Sequence, residues 1–160
     1  MKTLTSFFKS KDGNITFLSI ILFTVIVFIA LGVFTWSVLY TNYYDAQHAM
    51  ERSMNSAVEE FLNSYEVKDA VAIVDPVAME DLIAENMIDN GMTAQGDGYV
   101  LLKDNNAVYS ITEVDISGTD EYVAISGTFE MNMPWGMAQG IVWETPISVS
   151  SRLMFISRSE

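Results

Sequence analysis

The side chains that most often carry out site chemistry are scarce in this 160-residue sequence. It has one histidine, His48, and no cysteine, which excludes a cysteine nucleophile, a thiolate metal site, a disulfide and an iron–sulfur cluster. His48 lies among polar neighbours, where we expect a solvated or hydrogen-bonded surface role. No nucleophile stands beside a base, so we predict no enzyme activity, no catalytic residue and no cofactor.

Carboxylates are abundant, and two groups of them are candidates for a metal-binding or catalytic site. Four acids lie opposite the apolar side of a predicted helix, as on a solvated face: Glu80, Asp81, Glu85 and Asp89. Gly96-Asp97-Gly98 with Asp104 lacks the ordered run of ligands of a calcium loop, so we predict a turn and no metal site. Catalysis by two carboxylates needs a pair that lies on either side of the reacting bond, and the sequence indicates no such pair.

Residues 15–40, ITFLSIILFTVIVFIALGVFTWSVLY, are the segment around which the chain is organised. They contain no charged residue and no Asn, Gln, His or Pro. A helix of this length rises ~39 Å, against a hydrocarbon core of ~30 Å, and only a helix pairs all of its backbone groups in lipid. We therefore predict one transmembrane helix, with Trp36 and Tyr40 in the interfacial aromatic belt. The alternative is a buried core helix.

The flanks of this segment predict its orientation. The preceding residues, 1–14, form a basic head with Lys2, Lys9 and Lys11 against Asp12, whereas the 120 residues after Tyr40 carry five Lys/Arg against 20 Asp/Glu. Positive residues near a span stay in the cytoplasm, so we predict an inside N-terminus and an outside C-terminal domain. The span is longer than a signal-peptide core and lacks an A-x-A-like site, which favours an uncleaved or N-terminally trimmed anchor.

The net charge of −13 limits the partners of the outer domain. A surface this acidic argues against nucleic acid and against an anionic membrane surface as its ligand. We therefore expect membrane lipid around the predicted span and no nucleic-acid partner.

Beyond the span, residues 41–65 contain no Gly or Pro and are rich in helix formers, which predicts a helical stem. Apolar residues recur on it at intervals of three and four, on one side of the helix. Such a stripe needs a cover, either the chain's own domain or neighbouring helices. The predicted helix-packing stripe comprises Ala46, Met50, Met54, Ala57, Val58 and Phe61.

Residues 66–160 are predicted to form a small α+β domain. Asp75 and Pro76 suit a helix start, and Gly91 suits its end. Its predicted buried side comprises Met79, Leu82, Ile83, Met87 and Ile88.

From Gly96 the apolar period changes to two, which predicts an antiparallel sheet of about four strands. Residues 99–103 and 107–111 flank a predicted hairpin turn, and 122–133 alternate over twelve residues. The last strand or strand pair, 141–157, is predicted to be interrupted at Pro146. The apolar loop 134–140 carries Trp135 and Met137, which either form an exposed protein-contact patch or pack under the sheet.

The layout of the chain resembles that of type IV pilin-like proteins: a basic head ending in Gly, an apolar helix, a stem and a small outer domain. It most resembles the TadE/TadG-like pseudopilins of tight-adherence (Flp) pilus systems. The resemblance rests on Lys9-Ser-Lys-Asp-Gly13-Asn-Ile-Thr-Phe, on residues 40–44, and on the late order of strand, Pro/Gly loop and strand.

The resemblance implies that a prepilin peptidase cleaves after Gly13 and leaves Asn14 as the new N-terminus. The family usually places Glu five residues into the mature chain, where this sequence has Leu18. This departure fits a minor or accessory pseudopilin rather than a major pilin. The implied partners are other pilin-like subunits, in a homo- or hetero-oligomer through the N-terminal helix, and the pilus assembly platform.

Two functions therefore follow as hypotheses. The first is a structural pseudopilin of a type IV-like (Tad/Flp) pilus or related secretion apparatus, held in the cell membrane or incorporated into a surface pilus. The second is a single-pass anchored binding or sensor module, which needs a ligand site in the outer domain but no partner helices.

Overall fold

The computed structural model describes residues 11–64, 76–118, 122–134 and 140–152. Within these residues the chain forms two helices and five strands, in the order α1 (Lys11–Ser64), α2 (Pro76–Asp89), β1 (Met92–Gln95), β2 (Gly98–Lys103), β3 (Asn106–Gly118), β4 (Tyr122–Asn132) and β5 (Val142–Arg152). The predicted α+β class, with a long N-terminal helix before a small antiparallel sheet, is confirmed. The chain divides into two compact units, Met1–Val38 and Leu39–Glu160.

The first unit contains the apolar part of α1. Every side chain from 15 to 34 is exposed, although nearly all of them are apolar. The hydroxyls of Ser19, Thr24 and Thr35 donate to the carbonyl four residues earlier, at 2.9, 2.8 and 3.0 Å, so these side chains find their acceptors within the helix. Ile15–Phe61 is long and apolar enough to cross a membrane.

The second unit contains the rest of α1, then α2 and the sheet. The five strands pair antiparallel with their neighbours in sequence, in the order β1-β2-β3-β4-β5. The two edges therefore belong to β1 and β5. α2 packs against β1 and β3.

The start and end of α2 follow the predicted signals. The helix begins at Pro76, and Asn90 and Gly91 follow its last residue. The Gly91 N–H donates to the Ile88 carbonyl at 2.9 Å, and Gly91 has a φ of +88°, as is typical of a helix end. Asp75, the predicted cap, lies outside the described residues. The prediction that Ile88 is buried is wrong: 52% of it is exposed, because the covered side of α2 follows Met79, Ile83 and Met87.

Two tight turns organise the first three strands. Gln95 pairs with Gly98 across Gly96-Asp97, and Gly96 has a φ of +64°. Lys103 pairs with Asn106, so the second hairpin turns on Asp104 and Asn105 alone. Both of these residues have positive φ (52° and 61°), as in a type I′ turn.

A β-bulge in β3 re-phases its apolar pattern. Between the pairs Thr112–Thr128 and Asp115–Ser126, β3 has one residue more than β4, and Glu113 there has a φ of +53°. The extra residue moves the apolar positions from odd to even numbers, so that Ile116 faces the same side as Ile125. One face of the sheet thus stays apolar through the irregularity.

β5 is one continuous strand, and the predicted interruption at Pro146 is wrong. Pro146 pairs with Thr128 in an unbroken register from Val142 to Arg152. An edge strand accepts proline because its outward N–H groups need no partner strand.

Candidate interaction surfaces

The predicted helix-packing stripe is buried within a single copy of the chain. All six of its residues are at most 8% exposed, and Leu39, Ala49 and Ser53 are buried on the same helix. Arg52, Asn55 and Glu59, on the other side of the helix, are exposed. The chain's own second unit therefore covers this part of α1, whereas the apolar side chains of the first unit stay exposed.

Aromatic side chains join the start of this covered segment to the middle of the sheet. The Tyr43 ring lies 5.6 Å from that of Phe129, centroid to centroid, and Phe129 in turn contacts Tyr109 at 5.4 Å and Trp143 at 5.8 Å. Phe129, opposite Ile111 in the register, is fully buried. This cluster fixes α1 on the apolar face of the sheet, with edge-to-face contacts that favour one geometry.

A buried polar contact joins α1 to the end of α2. Asn90 Nδ2 donates to Ser53 Oγ at 2.9 Å and to the Asn86 carbonyl at 2.8 Å. Ser53 is fully buried on α1, among the residues of the stripe. Sequence reasoning missed this residue, because a serine among apolar positions gives no sign of its partner.

The candidate residues for site chemistry are exposed to solvent. His48 is exposed, and its Nδ1 lies 3.1 Å from Glu51 Oε2, one turn away on the same helix. Glu80, Asp81, Glu85 and Asp89 are exposed, as predicted. Among the described residues no group of three or more His, Asp or Glu converges as a metal site requires.

Two tyrosines in the second unit are held in the neutral form. Burial raises the pKa of Tyr109 to about 12, with a further contribution from Asp45 and an opposing one from Arg52. Burial also raises the pKa of Tyr99, and Glu80 adds to that effect. Both residues therefore behave as neutral packing groups at physiological pH rather than as acids or bases.

A cleft of about 250 Å³ lies between α2, the β1–β2 turn and β3. Glu80, Asp97 and Tyr99 contribute side chains to it, and Gly98 forms part of its wall. A Cβ on Gly98 would lie 2.0 Å from the Ile111 carbonyl oxygen, so glycine is required by the close approach of two strands. This close approach of the two strands is sufficient to explain why residue 98 is glycine, and no ligand in the cleft is needed to explain it.

No protein-family model matches this chain, and no curated protein or solved structure is significantly similar to it.

The remaining predicted site residues lie at or beyond the limits of the described structure. Gly13 and Asn14 lie in the first turn of α1, which begins at Lys11. Trp135 and Met137 lie outside the described residues, so the protein-contact loop stays a prediction. Next to that loop, Ile141 and Val142 are 56% and 43% exposed.

Proposed function

We propose that this protein is a membrane-anchored minor pseudopilin, a structural subunit in the assembly of a type IV-like (Tad/Flp) pilus or related secretion apparatus. The observation that carries the proposal is the contrast along α1. Its first part exposes a long and mostly apolar surface, and its second part belongs to the core of a small α+β unit. An exposed apolar helix of this length requires lipid or other apolar helices around it.

The burial of the stripe supports one location for the proposed contacts between subunits. Met50, Met54 and Phe61 are covered within one copy, so they offer no surface to a neighbour. Contacts between subunits would instead use the exposed apolar residues from Ile15 to Phe34, through the van der Waals packing by which helices associate in lipid. The N-terminal head would remain in the cytoplasm and the second unit outside.

The same burial favours one alternative, a single-pass anchored binding or sensor module. A second unit whose core is complete within one copy needs no partner subunit for its stability. The two functions differ in what happens at Gly13: a pseudopilin is cleaved there, whereas a simple anchor keeps its head.

Mass spectrometry of the membrane form tests the proposal. A pseudopilin made in cells with an active prepilin peptidase should begin at Asn14, and Gly13→Val should abolish that product, because a bulky residue before the cut keeps the backbone from the enzyme. Thr5→Val, in the same head, is the matched control and should still be processed. A chain that keeps Met1, in wild type as in Gly13→Val, would favour the anchored module.

The absence of cysteine makes the orientation simple to test. In intact cells, an impermeant thiol reagent should label Asp97→Cys, in the β1–β2 turn, and should leave Ser6→Cys unlabelled until the cells are opened. Labelling of Ser6→Cys alone would reverse the orientation and remove the pseudopilin proposal with it.

A further inference from the structure

The outer edge of β5 is the long open edge of the sheet. Among the described residues β5 pairs only with β4, along eleven residues, whereas the opposite edge strand, β1, has four. In an antiparallel sheet, every second residue of an edge strand directs its N–H and C=O away from the neighbouring strand. An open edge of this length is exposed to pairing unless something occupies or blocks it.

Pro146 and Tyr43 divide this edge at its centre. Since the register with β4 continues through Pro146, which has no N–H, its backbone must be one of those that face outward. The Tyr43 hydroxyl donates to the Pro146 carbonyl at 3.4 Å. A second strand therefore meets a missing donor and an occupied acceptor midway along the edge. Small molecules or groups that each accept a single hydrogen bond can still bind along this edge, because they do not need the continuous hydrogen-bond ladder that a second strand would need.

The same contact fixes where the edge lies along α1. Tyr43 is three residues after Tyr40, the last residue of the predicted span, which is ~4.5 Å along a helix axis. Tyr40 and Tyr44 are 51% and 41% exposed, their ring centroids are 4.6 Å apart, and their hydroxyls are 3.0 Å apart. Exposed tyrosines are typical of the lipid headgroup zone. The Tyr43 contact therefore places Pro146, in the middle of β5, beside the turn of α1 that carries these tyrosines.

The exposed side chains of β5 suit this zone. Ile141, just before the strand, and Val142, its first residue, are exposed. The exposed hydroxyls of Ser148 and Ser150 follow, and the cation of Arg152 lies at the end of the strand. Glu144 is the one acid in the strand, although the residues after Tyr40 are strongly acidic as a whole. Phosphate and ester oxygens of lipids accept hydrogen bonds from hydroxyls, N–H groups and arginine.

We infer that the open edge of β5 rests on the headgroup zone of the membrane, where its outward N–H groups and hydroxyls donate to the phosphate and ester oxygens of phospholipids. The inference rests on the membrane anchoring in the proposed function and not on the role in a pilus. The lipid surface is then the partner that protects an edge which the fold leaves open.

Lipid-quenching experiments on the full chain test this inference. Single-cysteine variants carrying an environment-insensitive fluorophore would be reconstituted, one copy per nanodisc, in phosphatidylcholine with or without a spin label on the headgroup. Ser148→Cys, two residues from Pro146, should be quenched several-fold more than Thr93→Cys on β1, the matched exposed position on the opposite edge. Equal, weak quenching at the two positions would overturn the inference.

Two further measurements separate the possible failures. Val25→Cys, in the apolar segment, should be quenched by a spin label on the acyl chain, and its failure to respond would overturn the anchoring and the inference together. The third measurement uses several copies of Ser148→Cys per nanodisc. Efficient disulfide crosslinking between copies, together with weak headgroup quenching, would show that a second chain covers the edge. That result would contradict the inference. Far-ultraviolet circular dichroism of each variant checks that the fold is intact.

Discussion

Asn90 and Ser53 are joined by a hydrogen bond of 2.9 Å, although they are 37 residues apart in sequence. Ser53 lies on the covered side of α1, and Asn90 lies at the end of α2, where its amide also donates to the Asn86 carbonyl. The bond therefore holds the end of one helix against the middle of another. The Asn90 amide therefore donates one bond to Ser53 and one to the Asn86 carbonyl.

Ser53→Ala should destabilise the second unit by about 1 kcal/mol, because one amide hydrogen of Asn90 loses its buried acceptor. Urea unfolding of the full chain in detergent, followed by near-ultraviolet circular dichroism, measures the change. Ser56→Ala is the matched control, since Ser56 is exposed on the same helix. Equal effects of the two substitutions would show that the bond contributes nothing.

Met54→Asp should destabilise the second unit by several kcal/mol, because it places a charge at a position that is 1% exposed in an apolar contact. Asn55→Asp adds the same charge one residue later, at an exposed position, and should change stability by no more than ~0.5 kcal/mol. Limited proteolysis of the membrane-bound chain, read as the rate of cleavage within the second unit, compares them. Similar cleavage rates would mean that the stripe is not the core of this unit.

Alanine at three glycines should give a graded series. At Gly98 the new Cβ meets the Ile111 backbone at 2.0 Å, at Gly127 it meets the Thr112 oxygen at 3.0 Å, and at Gly32 it meets nothing within 4 Å. We expect Gly98→Ala to cost about 3 kcal/mol or more, Gly127→Ala less, and Gly32→Ala nothing. Thermal unfolding of the three variants tests the order. A Gly98→Ala variant as stable as wild type would contradict the close approach of β2 and β3.

Stability should fall at alkaline pH, in part through Tyr109. Its pKa is raised from 10.0 to about 12, so the folded state favours the neutral phenol. Below about pH 10 both the folded and the unfolded states are protonated, and the full stability is present. Above that pH the unfolded state releases its proton first, so the free energy of unfolding decreases until the folded state titrates.

Urea unfolding between about pH 8 and pH 11 measures this decrease. The decrease should be smaller in Tyr109→Phe but not absent, because the pKa of Tyr99 is also raised. Tyr122→Phe, at an exposed position, is the control and should follow wild type. Identical pH profiles for Tyr109→Phe and wild type would contradict the burial of this phenol.

The sequence by itself determined the features that depend on local composition. The apolar segment, its internally paired hydroxyls and the helix signals at Pro76 and Gly91 need no distant contact, because each follows from backbone hydrogen bonding along the chain. The alternation in β4 likewise placed Val123, Ile125, Phe129 and Met131 on one buried face. These are the features in which a residue's neighbours in sequence decide its conformation.

Tertiary structure alone decided the rest, because there the deciding partner is far away in sequence. β1 has one buried residue, Met92, so its sequence shows no alternation of apolar and polar residues. It forms a strand because it pairs with β2 and packs against α2. Pro146 stays within β5 because that strand lies at the sheet's edge. Above all, the stripe on α1 required a cover that its pattern did not identify. The cover is this chain's own second unit, which contacts α1 through pairs such as Asn90 with Ser53 and Phe129 with Tyr43.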